Sequence, residues 1–139
     1  MRMLVFDEEN YWREMALEYL EQEGFRVELA GDVAHLETNL ARCPDVIVLG
    51  FPVIESRQEQ IIAYARKKCP SALLTVFSTS WPMPQSTERR LLRLGVSDML
   101  GRPGQGSDLV AAIKSAYVGH RARLASLSSY GRFRLREAQ

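Results

Sequence analysis

Polar residues that could carry chemistry follow several of the apolar runs in this sequence. Asp7 and Glu8 come directly after the first run, and two carboxylates at the end of a strand offer the oxygen ligands that a divalent cation prefers. Ser78 and Arg102 follow two later runs, where a hydroxyl could contact a phosphoryl group and a guanidinium could bind carboxylates. A second interpretation stays open at each position. Arg102 could neutralise a purely structural acidic pair, and Ser78 could bond the neighbouring backbone.

Motifs for other kinds of chemistry do not occur in the sequence. Neither GxGxxG nor GxxxxGK(S/T) is present, and no Ser-His-Asp or Cys-His arrangement follows a recognisable nucleophile turn. Cys43 and Cys69 each precede a proline and share no metal-ligand spacing with each other, with His35 or with His120. We interpret both as reduced thiols at helix ends, and we expect no cofactor, no bound metal and no enzymatic activity.

Length and composition indicate one ordinary globular domain. The 139 residues are 46% hydrophobic and 25% charged, which argues against disorder and low-complexity classes. The first residues do not resemble a signal peptide and no apolar stretch is long enough to span a membrane, so we expect a cytoplasmic protein without membrane contact. Six basic residues against one acidic residue give the segment from Lys114 onward a net charge of +5, which leaves residues 1–113 at −4.

Elements that would position the polar residues alternate regularly along the chain. Runs with β-branched residues are each followed by a segment with helical periodicity, the pattern of an α/β fold with a doubly wound parallel sheet. The five predicted strands are residues 3–6, 25–30, 45–49, 73–77 and 96–100. Asp32 is expected to cap the second helix. Helical stripes are expected to bury Trp12 in the first helix, Leu91, Leu92 and Leu94 in the fourth, and Ile113 in the fifth. Ligands of such sheets gather at the carboxyl ends of the strands, where Asp7, Gly50, Ser78 and Arg102 are expected to lie.

The order of these elements and several short motifs resemble the receiver (CheY-like) domain of two-component response regulators. The matching segments are MLVFDEE at residues 3–9, PDVIVLGFP at 44–52, Ser78, and GVSDMLGRP at 95–103. The resemblance covers residues 1–118 and implies a flavodoxin-like five-stranded fold, with residues 119–139 left as a basic C-terminal extension. In that family, an acidic pair holds Mg²⁺, an aspartate ending the third strand accepts the phosphoryl group, and a Lys-Pro pair follows the fifth strand.

Departures from this pattern predict a different function. Gly50 stands at the phosphoacceptor position, and glycine has no side chain to phosphorylate. Arg102 replaces the lysine, Met99 replaces the aromatic switch residue, and Pro52 comes early in the loop. We interpret Asp7, Glu8, Gly50, Ser78 and Arg102 as a degenerate phosphorylation pocket. The chain is then expected to be a pseudo-receiver that binds other proteins in bacterial signal transduction, independently of phosphorylation.

A partner surface is predicted on the fourth helix, the last strand and the last helix, which receivers commonly use for partners. Aromatic, methionine and arginine side chains there are of the kinds enriched at interfaces, namely Trp81, Met83, Arg89, Arg90, Arg93 and Met99. The partner would be a signalling protein, such as a histidine kinase, an output domain or another receiver, including a second copy of this chain. In the competing interpretation, Trp81 folds over the core and the arginines are merely solvated.

Two further functions compete with this one. A receiver could accept phosphate at another carboxylate such as Glu55, or the chain could be a small α/β hydrolase, but no carboxylate aligns with the acceptor position. The basic tail, where arginines alternate with Tyr130 and Phe133, could instead bind nucleic acid. The near-neutral total charge argues against nucleic acid.

Overall fold

Five strands alternate with five helices in the part of the chain that the structure describes. This computed structural model describes the backbone of residues 1–138 and the side chains of residues 1–126. The elements are β1 (Arg2–Phe6), α1 (Asn10–Gln22), β2 (Arg26–Ala30), α2 (Val33–Leu40), β3 (Val46–Phe51), α3 (Ser56–Lys68), β4 (Leu73–Ser78), α4 (Gln85–Leu94), β5 (Asp98–Gly101) and α5 (Gly106–Ala138).

All strand pairs are parallel, and the sheet order is β2-β1-β3-β4-β5. This confirms the predicted doubly wound five-stranded sheet. Strand order reverses between β1 and β3, and the carboxyl ends of β1, β3, β4 and β5 lie along one edge. A crevice at such a reversal is where sheets of this kind present their functional residues.

Two hydrophobic layers cover the sheet. On one face, α2, α3 and α4 pack through residues that include Leu36, Ile62 and Leu91. On the other, α1 and α5 pack through Trp12 and Ile113 among others. Every residue of β3 and β4 is buried, as their continuous apolar runs predict for strands covered on both faces.

Helix ends use local side-chain bonds. The predicted cap of α2 is confirmed, since Asp32 Oδ1 accepts from the backbone N–H of His35 at 2.8 Å. At the start of α3, Glu55 and Gln58 form a reciprocal capping box in which each side chain accepts from the other's backbone N–H. The carboxylate of Glu55, considered above as another phosphoacceptor, therefore has a structural partner.

Helix α5 continues through the predicted boundary between residues 118 and 119. Its backbone is helical from Gly106 to Ala138, and the Nε2 atom of His120 lies 2.9 Å from the carbonyl oxygen of Ser71. Tyr130 and Phe133 lie outside the residues whose side chains are described, so nucleic-acid binding by the basic tail remains a prediction. Among the described residues, no helix combines the length and apolarity that crossing a bilayer requires.

Candidate functional site

Strand register brings the predicted pocket residues together at the carboxyl edge of the sheet. Asp7 follows β1, Ser78 ends β4, and Arg102 follows β5. Gly50 was expected after the third strand, but β3 runs on to Phe51, because Gly50 and Phe51 pair with the last two residues of β4. Gly50 is therefore part of the buried sheet.

Arg102 is the centre of an ion-pair network in this pocket. One of its terminal nitrogens donates to Asp7 Oδ2, and the other donates to Glu9 Oε2 at 2.5 Å. The guanidinium carbon lies 5.0 Å from the ring centroid of Trp12, which adds a cation–π contact to the network. The Arg102 side chain is 13% exposed and that of Asp7 is buried, so solvent screens this pair weakly. Arginine provides the planar fork that two carboxylates require.

Glu8 does not belong to this pocket, contrary to the sequence-based prediction. Its carboxylate is exposed and pairs with Arg57 Nη1 of α3 at 2.8 Å. The turn after β1 directs the exposed Glu9 side chain toward Arg102 instead, and the backbone N–H of Glu9 donates to Asp7 Oδ1 at 2.8 Å. The acidic pair that Arg102 binds is thus Asp7 and Glu9.

The carboxylate of Asp7 occupies the space that a side chain at Gly50 would need. A β-carbon built on Gly50 would lie 3.1 Å from Asp7 Cγ and well inside the contact distance of Asp7 Oδ2. Backbone approach this close is a reason for glycine in a strand interior. With the Asp7 side chain in this place, residue 50, where the resemblance expects an aspartate, has neither a carboxylate nor the room for one.

Burial raises the pKa of Asp7 above its usual value, while the Arg102 guanidinium and the Glu9 N–H oppose that rise. The Arg13 side chain also holds the Asp7 backbone in place, since Arg13 Nη1 donates to the Asp7 carbonyl oxygen at 2.6 Å. Both oxygens of this carboxylate already accept hydrogen bonds, one from Glu9 and one from Arg102. Asp7 is committed to internal partners.

These donors do not fit the Mg²⁺ ion that a phosphorylated receiver fold implies. Asp7 is engaged by a guanidinium, Glu8 points to α3, and Gly50 supplies no oxygen from a side chain. Among residues 1–126, no group of three or more His, Cys, Asp or Glu side chains could hold a metal ion. Arg102 supplies the positive charge that a cation would bring.

Ser78 is buried, and its hydroxyl serves the turn that follows β4. Its Oγ accepts from the backbone N–H of Ser80 at 3.2 Å and lies 3.4 Å from the Ser80 carbonyl oxygen. This is the local backbone bonding considered above as the alternative to phosphoryl contact. Trp81 then packs its ring over Gly101, with ring carbons 2.9 Å from the place of a Gly101 β-carbon, and stays 41% exposed.

Not all residues of the predicted partner surface face solvent. Met83 was expected to be exposed, but it is 7% exposed and packs into the layer formed by α2, α3 and α4. Met99 is half-buried against the same layer. Arg90 turns toward α3, where its Nε donates to Glu59 Oε1 at 2.7 Å. Leu92, which sequence reasoning placed in the core, is 59% exposed.

One stripe of α4 is therefore solvent-facing. Arg89, Leu92 and Arg93 are exposed, and Leu92 and Arg93 follow Arg89 by three and four residues, so each flanks Arg89 on the outer side of the helix. We call these three residues the α4 stripe. It combines an apolar side chain with two arginines, as protein interfaces often do.

Sequence reasoning missed two contributors to the pocket. Arg13 bonds to the Asp7 carbonyl oxygen and packs over Gly31. Its Nη2 also donates to Asn10 Oδ1 at 3.0 Å, and this spacing of three residues was the signal that the sequence offered. Trp12 was assigned only to the core, yet its Nε1 lies 3.4 Å from the Pro103 carbonyl and its ring faces Arg102. Nothing in a helical stripe distinguishes such a tryptophan from a purely structural one.

Comparison with known proteins identifies the fold. No protein-family model and no curated protein matches the sequence. A response regulator receiver domain protein (CheY-like) from Methanospirillum hungatei is 16% identical, with a TM-score of 0.75 over 88% of this chain and 97% of that chain. A response regulator from Thermotoga maritima is 21% identical, with a TM-score of 0.72 over 84% of this chain and 97% of that chain.

The same fold also occurs within a longer protein. NtrX from Brucella abortus is 18% identical, with a TM-score of 0.77 over 91% of this chain but 29% of its own. The chain therefore has the fold of CheY-like receiver domains, as its motifs predicted.

Proposed function

We propose that this chain is a pseudo-receiver, a non-enzymatic module that binds other proteins in bacterial-type two-component signalling without being phosphorylated. The receiver fold suggests the signalling context. The observation that carries the proposal is the occupation of the acceptor position, where the Asp7 carboxylate lies against Gly50 and is held by Arg102. A pocket filled by its own ion pair has no place for a phosphoryl group or for the ion that would accompany it.

Incubation with acetyl phosphate and Mg²⁺ is expected to leave the protein unmodified, because residue 50 offers no nucleophile. Intact-mass spectrometry before and after incubation measures this, with an ordinary receiver as the positive control. Hydroxylamine treatment distinguishes an acyl phosphate from other adducts. An added phosphoryl mass that hydroxylamine removes would contradict the proposal, and peptide mapping would then test Glu55 as its site.

The interaction surface proposed here consists of Trp81 and the α4 stripe. Trp81 is exposed at 41% and Leu92 at 59%, so both present apolar area to a partner. Arg89 and Arg93 provide two positive charges beside Leu92. Tryptophan and arginine are the residue types that most often dominate binding energy, and positive charges favour an acidic partner.

Alanine substitution at Trp81 or Leu92 is expected to weaken partner binding by about tenfold or more, as loss of an interface anchor does. The immobilised full-length chain captures the partner from a lysate, and calorimetric titration with the purified partner then measures the dissociation constant. Arg89→Glu/Arg93→Glu is expected to weaken binding mainly at low salt, because exposed charges are screened near 1 M.

Tyr11→Ala is the matched control, since Tyr11 is a large exposed side chain on α1, on the opposite face of the sheet. Sedimentation equilibrium tests whether the partner is a second copy of the chain. Equal affinities for the wild type, Trp81→Ala and Leu92→Ala would place the interface elsewhere. If the chain binds nucleic acid and loses that binding, but not protein binding, when residues 119–139 are removed, the alternative function of nucleic-acid binding by the basic tail would be favoured.

A further inference from the structure

The two cysteines occupy equivalent places at the ends of two neighbouring helices. Cys43 lies between α2 and β3, Cys69 lies between α3 and β4, and each is preceded by a basic residue and followed by proline. Parallel β3 and β4 are neighbours in the sheet, so the segments leading into them are also neighbours. The sequence-based interpretation, two reduced thiols at helix ends, does not include this proximity.

Each thiol is directed at the end of the other cysteine's helix. Cys43 Sγ lies 3.2 Å from the carbonyl oxygen of Lys68, and Cys69 Sγ lies 3.4 Å from that of Leu40. The Leu40 carbonyl also accepts from the backbone N–H of Cys43 at 3.0 Å. The Leu40 carbonyl oxygen is thus a common neighbour of the Cys69 sulfur and the Cys43 backbone, and the crossed bonds bring the two cysteine side chains together between the ends of α2 and α3.

The two thiols differ in their exposure to solvent. Cys43 is exposed and Cys69 is buried. Both line a cleft of about 550 Å³ between the amino edge of the sheet and α5, together with Asp45, Tyr117 and His120. A small hydroperoxide can therefore reach Cys43 from solvent, whereas the buried Cys69 is shielded from it.

We propose that Cys43 and Cys69 form a redox-active dithiol that a hydroperoxide converts to an intramolecular disulfide. The Cys43 thiolate attacks one peroxide oxygen and the O–O bond breaks, giving a sulfenic acid at Cys43 and a hydroxide that takes up a proton to become water. The Cys69 sulfur then attacks the Cys43 sulfur and the S–O bond breaks. The departing hydroxide leaves as water with the proton of the Cys69 thiol. Two thiols and one hydrogen peroxide thus give one disulfide and two waters.

The order of the two steps follows from the environments of the two sulfurs. Burial is the main cause that raises the pKa of the Cys69 thiol to about 12, so Cys69 contributes little thiolate and does not react first with peroxide. Its position beside Cys43 makes it the resolving thiol, because the second step occurs between groups that are already adjacent.

Closure of this disulfide would act on the anchor of α5. The segment after Cys69 carries Ser71, whose carbonyl oxygen lies 2.9 Å from His120 Nε2. Joining the ends of α2 and α3 restricts this segment, and with it the position from which α5 continues beyond the sheet. A disulfide that closes a loop of this size also constrains the unfolded chain, so oxidation should raise the melting temperature by about 5 °C or more.

The test uses the reduced full-length chain, treated with a small excess of hydrogen peroxide and then denatured in N-ethylmaleimide. The expected intact mass is that of the chain minus two hydrogens, with no maleimide added, and peptide mapping should find Cys43 linked to Cys69. Dimedone should label Cys43→Ser poorly and should trap a sulfenic acid at Cys43 in Cys69→Ala. Because Cys43 is exposed, Cys43→Ser keeps the test valid even if Cys69→Ala fails to fold.

Because the chain has two cysteines, its oxidation products are readily distinguished. Disulfide-linked dimers on a non-reducing gel would overturn the proposal. So would oxidation of wild-type Cys43 to the sulfinic acid as fast as in Cys69→Ala, since a resolving thiol must compete with that reaction.

Discussion

Arg66→Met is expected to lower the free energy of unfolding by about 3 kcal/mol, at about 1 kcal/mol for each partly buried carbonyl that loses its donor. Arg66 lies in the last turn of α3 and holds three segments together, with no acidic partner among the residues whose side chains are described. Its acceptors, at distances of 2.8 to 3.2 Å, are the carbonyl oxygens of Cys69, Pro70, Ala72 and Gly95 and the hydroxyl of Ser97. Gly95 caps α4 at a φ of 97°, and a β-carbon built on it would lie 2.8 Å from Arg66 Cγ. Removing the guanidinium disconnects α3, β4 and the entry to β5.

Lys67→Met is the matched control, because Lys67 is the next residue of the same helix, is exposed and carries the same charge. It should change stability by less than about 0.5 kcal/mol, as surface substitutions usually do. Urea unfolding followed by circular dichroism, with equal slopes for all variants, measures the difference. Arg66→Lys should recover only part of the loss, because one ammonium cannot reproduce the fork that reaches both Gly95 and Ala72. Equal stabilities of Arg66→Met and Lys67→Met would show that these bonds contribute nothing.

The fold was predictable from the sequence because its main signals are strong and local. Continuous apolar runs identified β3 and β4, and helical stripes identified the faces that α1 and α5 bury. Asp32, as an N-cap residue, correctly predicted the start of α2. Arg66 gave no such signal, because it stands in a basic run that usually indicates a solvated helix end, and its acceptors are backbone atoms brought together only by the fold.

The α4 stripe illustrates where periodicity was misapplied. Leu91, Leu92 and Leu94 cannot all face the core, since Leu91 and Leu94 share a side at a spacing of three, whereas Leu92 is turned about 100° from Leu91 and still further from Leu94. Leu91 is buried and Leu92 is exposed. The same three leucines therefore contribute both to the core and to the proposed interface.

The membership of the pocket depended on a turn rather than on periodicity. Asp7, Glu8 and Glu9 are chemically similar, and the sequence does not reveal which two face Arg102. The bond from the Glu9 N–H to Asp7 Oδ1 sets the turn, sending Glu8 toward Arg57. Such side-chain-to-backbone bonds decide the direction of residues in a loop.

Gly50 is the position where the energetics of the pocket are most sharply testable. Glycine in the interior of a strand is unfavourable by about 0.5–1 kcal/mol relative to alanine, so its place in a buried central strand requires a compensating contact. The Asp7 carboxylate supplies one, since it fills the space over Gly50 and pairs with Arg102 there. The glycine and the ion pair form one unit.

Gly50→Ala is accordingly expected to lower the free energy of unfolding by about 3 kcal/mol, because its methyl group displaces a buried carboxylate from its partner. Gly50→Asp should lose about 5 kcal/mol, since it adds a second buried carboxylate beside the first. Gly104→Ala and Gly104→Asp are the controls, as Gly104 is exposed and a β-carbon there meets no atom within 4 Å. Urea unfolding compares the four variants with the wild type.

A double-mutant cycle with Asp7→Ala separates this mechanism from a general intolerance of β3 to side chains. Once Asp7 is shortened the space over residue 50 is free, so Gly50→Ala should then cost under about 1 kcal/mol, a coupling of about 2 kcal/mol between the two sites. The same loss in both backgrounds would show that Asp7 is not the obstacle. The arrangement also predicts that Gly50→Asp alone does not restore labelling by acetyl phosphate, because Arg102 still occupies the acidic pocket and Pro52 still shapes the loop. If Gly50→Asp were labelled as fast as an ordinary receiver, the Asp7–Arg102 ion pair would not be an obstacle to phosphorylation at residue 50. The pocket would then differ from that of an ordinary receiver by the missing aspartate alone.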